Sequence, residues 1–150
     1  MAAILIIFAN LVFTKIFIIK KFNGHTHPER KERLESILSS IKSSNLKVEF
    51  KEAPLANLET VSLVHPKHHI EQIFSNIPKE RIIGVEKEHY ADTMLCPDSK
   101  TAILRSCGAG IAAVQDLMAN NDRVFCAVRP PGHHAETVRA NGFALLITLQ

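Results

Sequence analysis

The sequence predicts an α/β fold, a parallel sheet flanked by helices. The segment from Lys100 to Ala119 has the apolar spacing of a helix, and Asn120-Asn121-Asp122 ends it. The apolar run Val124 to Val128 follows at once and is typical of a buried strand. That strand leads into a polar loop, Arg129 to Glu136. This order is expected of α/β proteins, in which ligands gather beyond the carboxyl ends of the strands.

The composition indicates an ordinary globular domain and argues against nucleic acid as a partner. Of the 150 residues, 46% are hydrophobic and 22% are charged, and the net charge is only +3. A single Tyr and no Trp leave little surface for base stacking. Three cysteines, an odd count without CxxC spacing, favour reduced thiols and therefore a cytoplasmic protein.

The N-terminal segment, residues 1–22, is treated apart from the domain predicted over residues 23–150. Residues 1–19 are strongly apolar, and Lys20-Lys21 follows them. A secretory signal would carry its positive charge before the apolar run, so this segment is not predicted to be one. Three interpretations stay open: a membrane anchor or interfacial segment, a buried strand of the sheet, or sequence foreign to the domain that follows.

Three further helices, one of them weak, and two further strands are predicted between this segment and Lys100. Alternation at Val48 and Phe50 predicts a strand exposed on one side. Leu58 to Val64 is weakly helical, and a brief strand is expected at Arg81-Ile82-Ile83. Helical faces are predicted at Leu34, Ile37, Leu38 and Ile41, at Ile70, Ile73, Phe74 and Ile77 after Pro66, and at Ile103, Cys107, Ile111, Val114 and Met118.

Two groups of histidines outside the polar loop are given structural interpretations. His25 and His27 suit a loop that runs into a helix start at Pro28. His65, His68 and His69 have a spacing that resembles a metal site, but the helical pattern puts two of them on a polar face. We therefore expect these three to be solvated surface residues.

The polar loop places two imidazoles side by side, at His133 and His134. Neighbouring side chains on a strand point to opposite faces, so two imidazoles share one site only on a kinked backbone. Pro130-Pro131-Gly132 is suited to build that kink. Imidazole titrates near neutral pH, so such a pair can hold and pass a proton. The alternative is a surface turn with two solvated histidines.

The whole string Arg129 to Glu136, with Asn141-Gly142-Phe143 beyond it, resembles the signature of the zinc-dependent deacetylases. This family comprises histone deacetylases, acetylpolyamine amidohydrolases and their bacterial relatives. The stretch from His27 to Arg33 is similar to the family's His-Pro-Glu-Arg-Pro-x-Arg, with Lys31 in place of proline. Asp92 to Ser99 is similar to its Asp-Thr-x-x-Ser-Pro-Gly-Ser, with Cys96 and Asp98 as departures.

The resemblance implies part of a three-layer arginase/deacetylase-like fold and hydrolysis of an acetylated amine, acetyl-lysine or acetylpolyamine, by zinc-activated water. It implies that His134 is the general base and acid and that His133 binds the water. Phe143 would form a wall of the substrate tunnel, and Gly142 a contact at its floor. Asp92 would bind the substrate backbone, and Arg33 would line an internal channel.

The resemblance covers only the amino-terminal part of the family's catalytic domain. In the family the zinc ligands, an Asp-x-His pair and a further Asp, and a catalytic Tyr all follow the Gly-Phe position. No Asp or Glu follows Glu136 here, no His follows His134, and residues 144–149 depart from the family pattern. We therefore expect a truncated deacetylase that binds no metal by itself and is inactive alone. A non-catalytic interaction or membrane-tethered module, and an enzyme completed by a second polypeptide, are the alternatives.

Overall fold

A computed structural model describes residues 5–9, 29–80, 83–84, 93–120 and 123–148 of the chain. The elements in chain order are β1 (Leu5–Ala9), α1 (Lys31–Ser43), β2 (Val48–Glu52), α2 (Leu58–Val61), α3 (Lys67–Ser75), β3 (Ile83–Gly84), β4 (Met94–Leu95), α4 (Ser99–Asn120) and β5 (Arg123–Ala127). A parallel sheet in the order β2-β1-β5 carries the fold, and β3 and β4 form a separate antiparallel pair. The predicted α/β class is confirmed.

The central strand β1 is buried on both faces, as strands of parallel sheets usually are. Ile7 packs in one cluster with Leu34 of α1 and with Ala127. Its neighbours Ile6 and Phe8 point the other way, into a cluster that includes Ala109 of α4. Because parallel strands end at the same edge, β5 delivers the polar loop to the carboxyl edge of the sheet.

The open question of the N-terminal segment receives a partial answer from β1. Leu5–Ala9 is the middle strand of the sheet, paired with β2 on one side and β5 on the other. Residues 10–22, and with them most of the proposed membrane segment, lie outside the described residues. None of the helices in the described ranges combines the length with the apolar character that a membrane span requires. The division at residue 22 stays a prediction.

The helical faces predicted for α1 and α3 are confirmed. Leu34 is buried, and its predicted partners pack partly buried against the same cluster. On α3, Ile70 and Ile73 are buried, and Phe74 and Ile77 cover the core beside them. The weak helix expected over residues 58–64 is real but shorter, since α2 ends at Val61.

The helix α4 matches its predicted bounds within one residue at each end, but its predicted apolar stripe is correct only in the first half. Ile103 and Cys107 are buried, whereas Val114 is 45% and Met118 81% exposed. Close packing at the small residues is confirmed, because a Cβ on Gly108 would lie 2.0 Å from the carbonyl oxygen of Pro54. Beyond that contact Ile111 still packs partly buried against the core, whereas no described element covers Val114 and Met118.

The strand β5 is confirmed, but the prediction that it is buried is wrong for its first residues. Phe125 is 42% exposed and Val124 only partly buried, while Ala127 and Val128 are buried. Within the described part of the chain, β5 pairs with β1 alone and is therefore an edge strand. An apolar run does not reveal whether a further strand covers it.

Candidate active site

The polar loop leaves β5 at Val128 and is anchored at its first residues. The side chain of Arg129 is 2% exposed and forms an ion pair with Glu29, just before α1. The next peptide, Arg129–Pro130, is cis, and the carbonyl of Pro130 accepts a hydrogen bond from the hydroxyl of Ser106 at 2.8 Å. Helix α4 and the start of α1 thus fix the path of the chain into the loop.

The kink expected before the paired histidines is present and depends on Gly132. A Cβ there would lie 2.0 Å from Oγ1 of Thr148, so this position takes no larger residue without a shift of the backbone. The chain then turns, and the amide of Ala135 donates to the carbonyl of Gly132 at 3.2 Å. His133 and His134 occupy this turn.

The two imidazoles lie next to each other on an exposed turn. Their ring centroids are 4.2 Å apart, and the ring planes are tilted by 57°. Both side chains are exposed. A shared exposed position lets both rings meet one ligand and exchange protons with it. This geometry is compatible with the predicted catalytic pair.

The Gly142-Phe143 turn lies against the second of these histidines. Asn141 and Ala144 exchange two backbone hydrogen bonds of 2.9 Å, and both residues between them have positive φ, 52° and 66°. Such angles at both central positions are typical of tight hairpin turns. A Cβ on Gly142 would lie 2.8 Å from Cγ of His134, so glycine permits this close contact.

Phe143 adopts a backbone conformation that non-glycine residues rarely have. Its amide donates to Oγ1 of Thr93 at 3.3 Å, and Thr93 is 1% exposed. The left-handed conformation costs roughly 1–2 kcal/mol, and this bond to a buried hydroxyl helps to offset it. The structure therefore brings together His133, His134, Gly142 and Phe143.

The two other predicted site residues are Asp92 and Arg33, and the structure describes only the second of them. Asp92 lies outside the described residues, although Thr93 beside it contacts the Gly-Phe turn. Arg33 extends from α1 to the end of β5, where its Nη2 donates to the carbonyl of Val128 at 3.4 Å. It also lines a cavity of about 320 Å³ between α4 and β5. The channel role of Arg33 stays a prediction.

The prediction that His65 and His69 are solvated is wrong, whereas His68 is exposed as expected. His65 is 1% and His69 3% exposed, and their rings stack with centroids 5.3 Å apart. His65 lies in the turn between α2 and α3 and His69 in the first turn of α3, and the helical pattern did not mark either of them as buried. His65 and Thr93 are the residues of this region that the sequence analysis missed. Neither stands at a position of the apolar periodicity; Thr93 lies in the family-like stretch Asp92 to Ser99, whereas only the tertiary fold marks His65 as a site residue.

The described residues do not fit a catalytic zinc ion. A catalytic zinc site takes about three protein ligands, and no group of three His, Cys, Asp or Glu side chains in the described part of the chain could hold a metal. The pair at His133 and His134 offers two imidazoles, fewer protein ligands than such a site takes.

Comparisons with known proteins show the family to which the chain belongs. The sequence model of the histone deacetylase domain matches residues 27–148. Histone deacetylase 9 of Homo sapiens is 32% identical in an alignment of 143 positions; the match covers 81% of this chain and 14% of that protein. The histone deacetylase-like amidohydrolase of Pseudomonas aeruginosa is 30% identical over 128 residues, 84% of this chain and 32% of its own length.

A solved structure shows the same fold. The crystal structure of the HDA15 HD domain superposes with a TM-score of 0.69 at 25% identity, over 81% of this chain and 34% of that one. The sheet, helices and loop thus define part of the arginase/deacetylase fold. The chain belongs to the histone deacetylase family. It spans at most about a third of the length of these relatives.

Proposed function

We propose that this chain carries the proton-transfer and substrate-contact part of a deacetylase that hydrolyses the amide bond of an acetylated amine, acetyl-lysine or acetylpolyamine. The observation that carries the proposal is the placement of His134, next to the ring of His133 and against Gly142. Family membership supports the reaction class, and the geometry supports the assignment of residues.

In this proposal His134 moves the proton and His133 orients the attacking water. One ring nitrogen of His134 accepts a proton from the water as it attacks the acetyl carbonyl. The same nitrogen then returns the proton to the departing amine nitrogen. The carbon–nitrogen bond breaks, and acetate and the free amine leave. Phe143 would pack on the acyl chain, Gly142 would contact its end, and Asp92 would bind the substrate backbone.

Zinc enters the proposal only for the complete enzyme. By the resemblance to the family, a bound zinc ion would supply activation of the water, but the described residues supply no set of ligands for it. We therefore propose that the metal ligands come from outside this part of the molecule and that the isolated chain does not turn over substrate.

One experiment tests both the role of His134 and the expected inactivity of the isolated chain. The isolated chain and a chimera, in which residues 27–148 replace the matching segment of the Pseudomonas aeruginosa amidohydrolase, are assayed with zinc on a fluorogenic acetyl-lysine peptide. We expect turnover only from the chimera, and His134→Ala in it should lower kcat about 10²–10⁴-fold. The control His68→Ala, at an exposed histidine away from the loop, should leave kcat unchanged. Turnover by the isolated chain, or an active chimera indifferent to His134→Ala, would contradict the proposal.

A second candidate function, a non-catalytic interaction module, is favoured by the surface around β5. Phe125, Leu117 and Met118 are exposed apolar residues on β5 and the end of α4. An edge strand with exposed apolar side chains is a template for pairing with another chain. The two candidates differ in the assay above, since an interaction module gives an inactive chimera.

Localisation belongs to the same proposal. Cys96, Cys107 and Cys126 are free thiols in the structure, which suits a cytoplasmic setting. Membrane association through residues 1–19 is the alternative, and resistance of a tagged chain to carbonate extraction would support it.

A further inference from the structure

The buried ring of His65 joins two points of the candidate active-site segment that lie far from it in sequence. Its Nδ1 is 2.8 Å from the carbonyl oxygen of Thr137, and its Nε2 is 2.8 Å from the backbone nitrogen of Ile147. The Gly142-Phe143 turn lies between these two anchors. The ring itself is 1% exposed and stacks on His69.

The partners of His65 fix which nitrogen carries the proton. A backbone amide only donates, so Nε2 must be the bare acceptor for Ile147. A carbonyl oxygen only accepts, so Nδ1 must carry hydrogen and donate to Thr137. Both bonds form together only in the neutral ring with its hydrogen on Nδ1. The other tautomer would lose both bonds, and the doubly protonated ring would lose the bond to Ile147.

The segment from Thr137 to Ile147, which His65 holds at both ends, in turn contacts His134, the candidate proton carrier. Its tip, Gly142, lies so close to His134 that an added Cβ would stand 2.8 Å from the ring carbon Cγ. Ile147 is held from its other side as well, since its carbonyl oxygen accepts from Sγ of Cys107 at 3.7 Å. The contacts thus run from His65 through the backbone of residues 137–147 to the ring of His134.

We propose that His65 is a positioning residue for His134: its Nδ1–H tautomer clamps Thr137 and Ile147 and thereby holds Gly142 against the His134 ring. The catalytic importance of this role rests on the proposed function, but the contacts that define it can be tested without measuring activity. It is a role for a residue that touches neither substrate nor reacting atoms.

The first test uses the unmodified 150-residue chain. Long-range ¹H–¹⁵N spectra of its histidine rings at pH 8 distinguish the two tautomers by the nitrogen shifts. We expect His65 as the Nδ1–H form and the amide of Ile147 to exchange slowly with solvent. An Nε2–H tautomer at His65 overturns the proposal, whatever any variant does.

The second test uses two substitutions and a matched control. His65→Phe removes both hydrogen bonds while keeping a ring, and His65→Gln keeps an acceptor for Ile147. We expect the Ile147 amide to exchange roughly 10–100-fold faster in His65→Phe, since about 1–3 kcal/mol is lost when a buried group is left without its partner. The Gln variant should recover much of this protection. His68→Phe, at an exposed position three residues on, should change neither readout.

The coupling to His134 is read from its ring resonances. In His65→Phe they should move towards those of an unstructured histidine, and in His65→Gln they should stay near the original positions. Unchanged His134 resonances alongside fast Ile147 exchange would overturn the positioning role. An inactive chimera in the deacetylase assay, with both tests above fulfilled, would instead count against the proposed function alone.

Discussion

Arg129 and Glu29 form a buried ion pair that connects the start of the polar loop to the residues just before α1. The guanidinium is 2% exposed, and the carboxylate is 10% exposed. We predict that Glu29→Ala lowers the free energy of unfolding by about 3–5 kcal/mol, because it leaves the Arg129 charge buried without its carboxylate. Urea denaturation followed by circular dichroism measures this.

The control for that substitution is Glu35→Ala. Glu35 pairs with Lys31 along α1, and its side chain is 58% exposed. Exposed pairs of this spacing contribute about 0.3–0.5 kcal/mol, so the loss should be that small. Equal losses in the two variants would show that burial of the Arg129 pair does not matter.

Gly142→Ala tests the contact between the Gly-Phe turn and His134. The positive φ of 52° costs an alanine roughly 1–2 kcal/mol, and its methyl group would meet the His134 ring. We expect a loss of about 1–3 kcal/mol in stability and a shift of the His134 ring resonances. Asn141→Ala, at an exposed position of the same turn, should leave those resonances in place. If Gly142→Ala changes neither the stability nor the His134 resonances, the turn has more room beside the His134 ring than the structure shows.

The sequence predicted the elements whose pattern is local. The faces of α1 and α3 follow from apolar spacing, and the kink before His133 follows from Pro-Pro-Gly. Each of these features depends on residues within a few positions of one another, so a single sequence is enough to predict it. The likeness of Arg129 to Glu136 to the deacetylase signature likewise predicted the family that the comparisons show.

The features that the sequence analysis missed depend on distant residues. His65 is buried because Thr137 and Ile147, which follow it by 72 and 82 positions, fold over it. Phe125 and Met118 are exposed because no described element covers them, although their apolar pattern is that of buried residues. Periodicity states which side chains could be buried, and tertiary contacts decide which of them are.

Cys107 gives a prediction about pH. Burial raises the pKa of its thiol from 9.0 to about 12, against a smaller opposing contribution of a hydrogen bond. Between these values the unfolded thiol releases its proton and the folded one keeps it, so the unfolded state binds fewer protons and stability falls as pH rises. The contribution should be fully present below pH 9 and decline by up to about 1.4 kcal/mol per pH unit above it.

Comparison with Cys107→Ala isolates that contribution. The free-energy difference between the unsubstituted chain and Cys107→Ala, measured by urea denaturation from pH 8 to 10.5, should shrink with rising pH. Burial also raises the pKa of half-buried Cys126, so Cys126→Ala should give a slope of the same sign but smaller. A pH-independent difference for Cys107→Ala would contradict a buried neutral thiol.

Phe125 gives a prediction about association. It stands 42% exposed on β5, which pairs only with β1 in the described part of the chain, and Leu117 lies close by on the same cavity. Unprotected edge strands with apolar side chains pair with other chains, and lysine on an edge opposes this. We therefore expect the chain to self-associate with rising concentration in sedimentation velocity, and Phe125→Lys to reduce that association. Leu63→Lys is the matched control, since Leu63 is 84% exposed but lies after α2, outside the sheet. If both substitutions reduce association equally, general surface hydrophobicity and not the strand edge drives it.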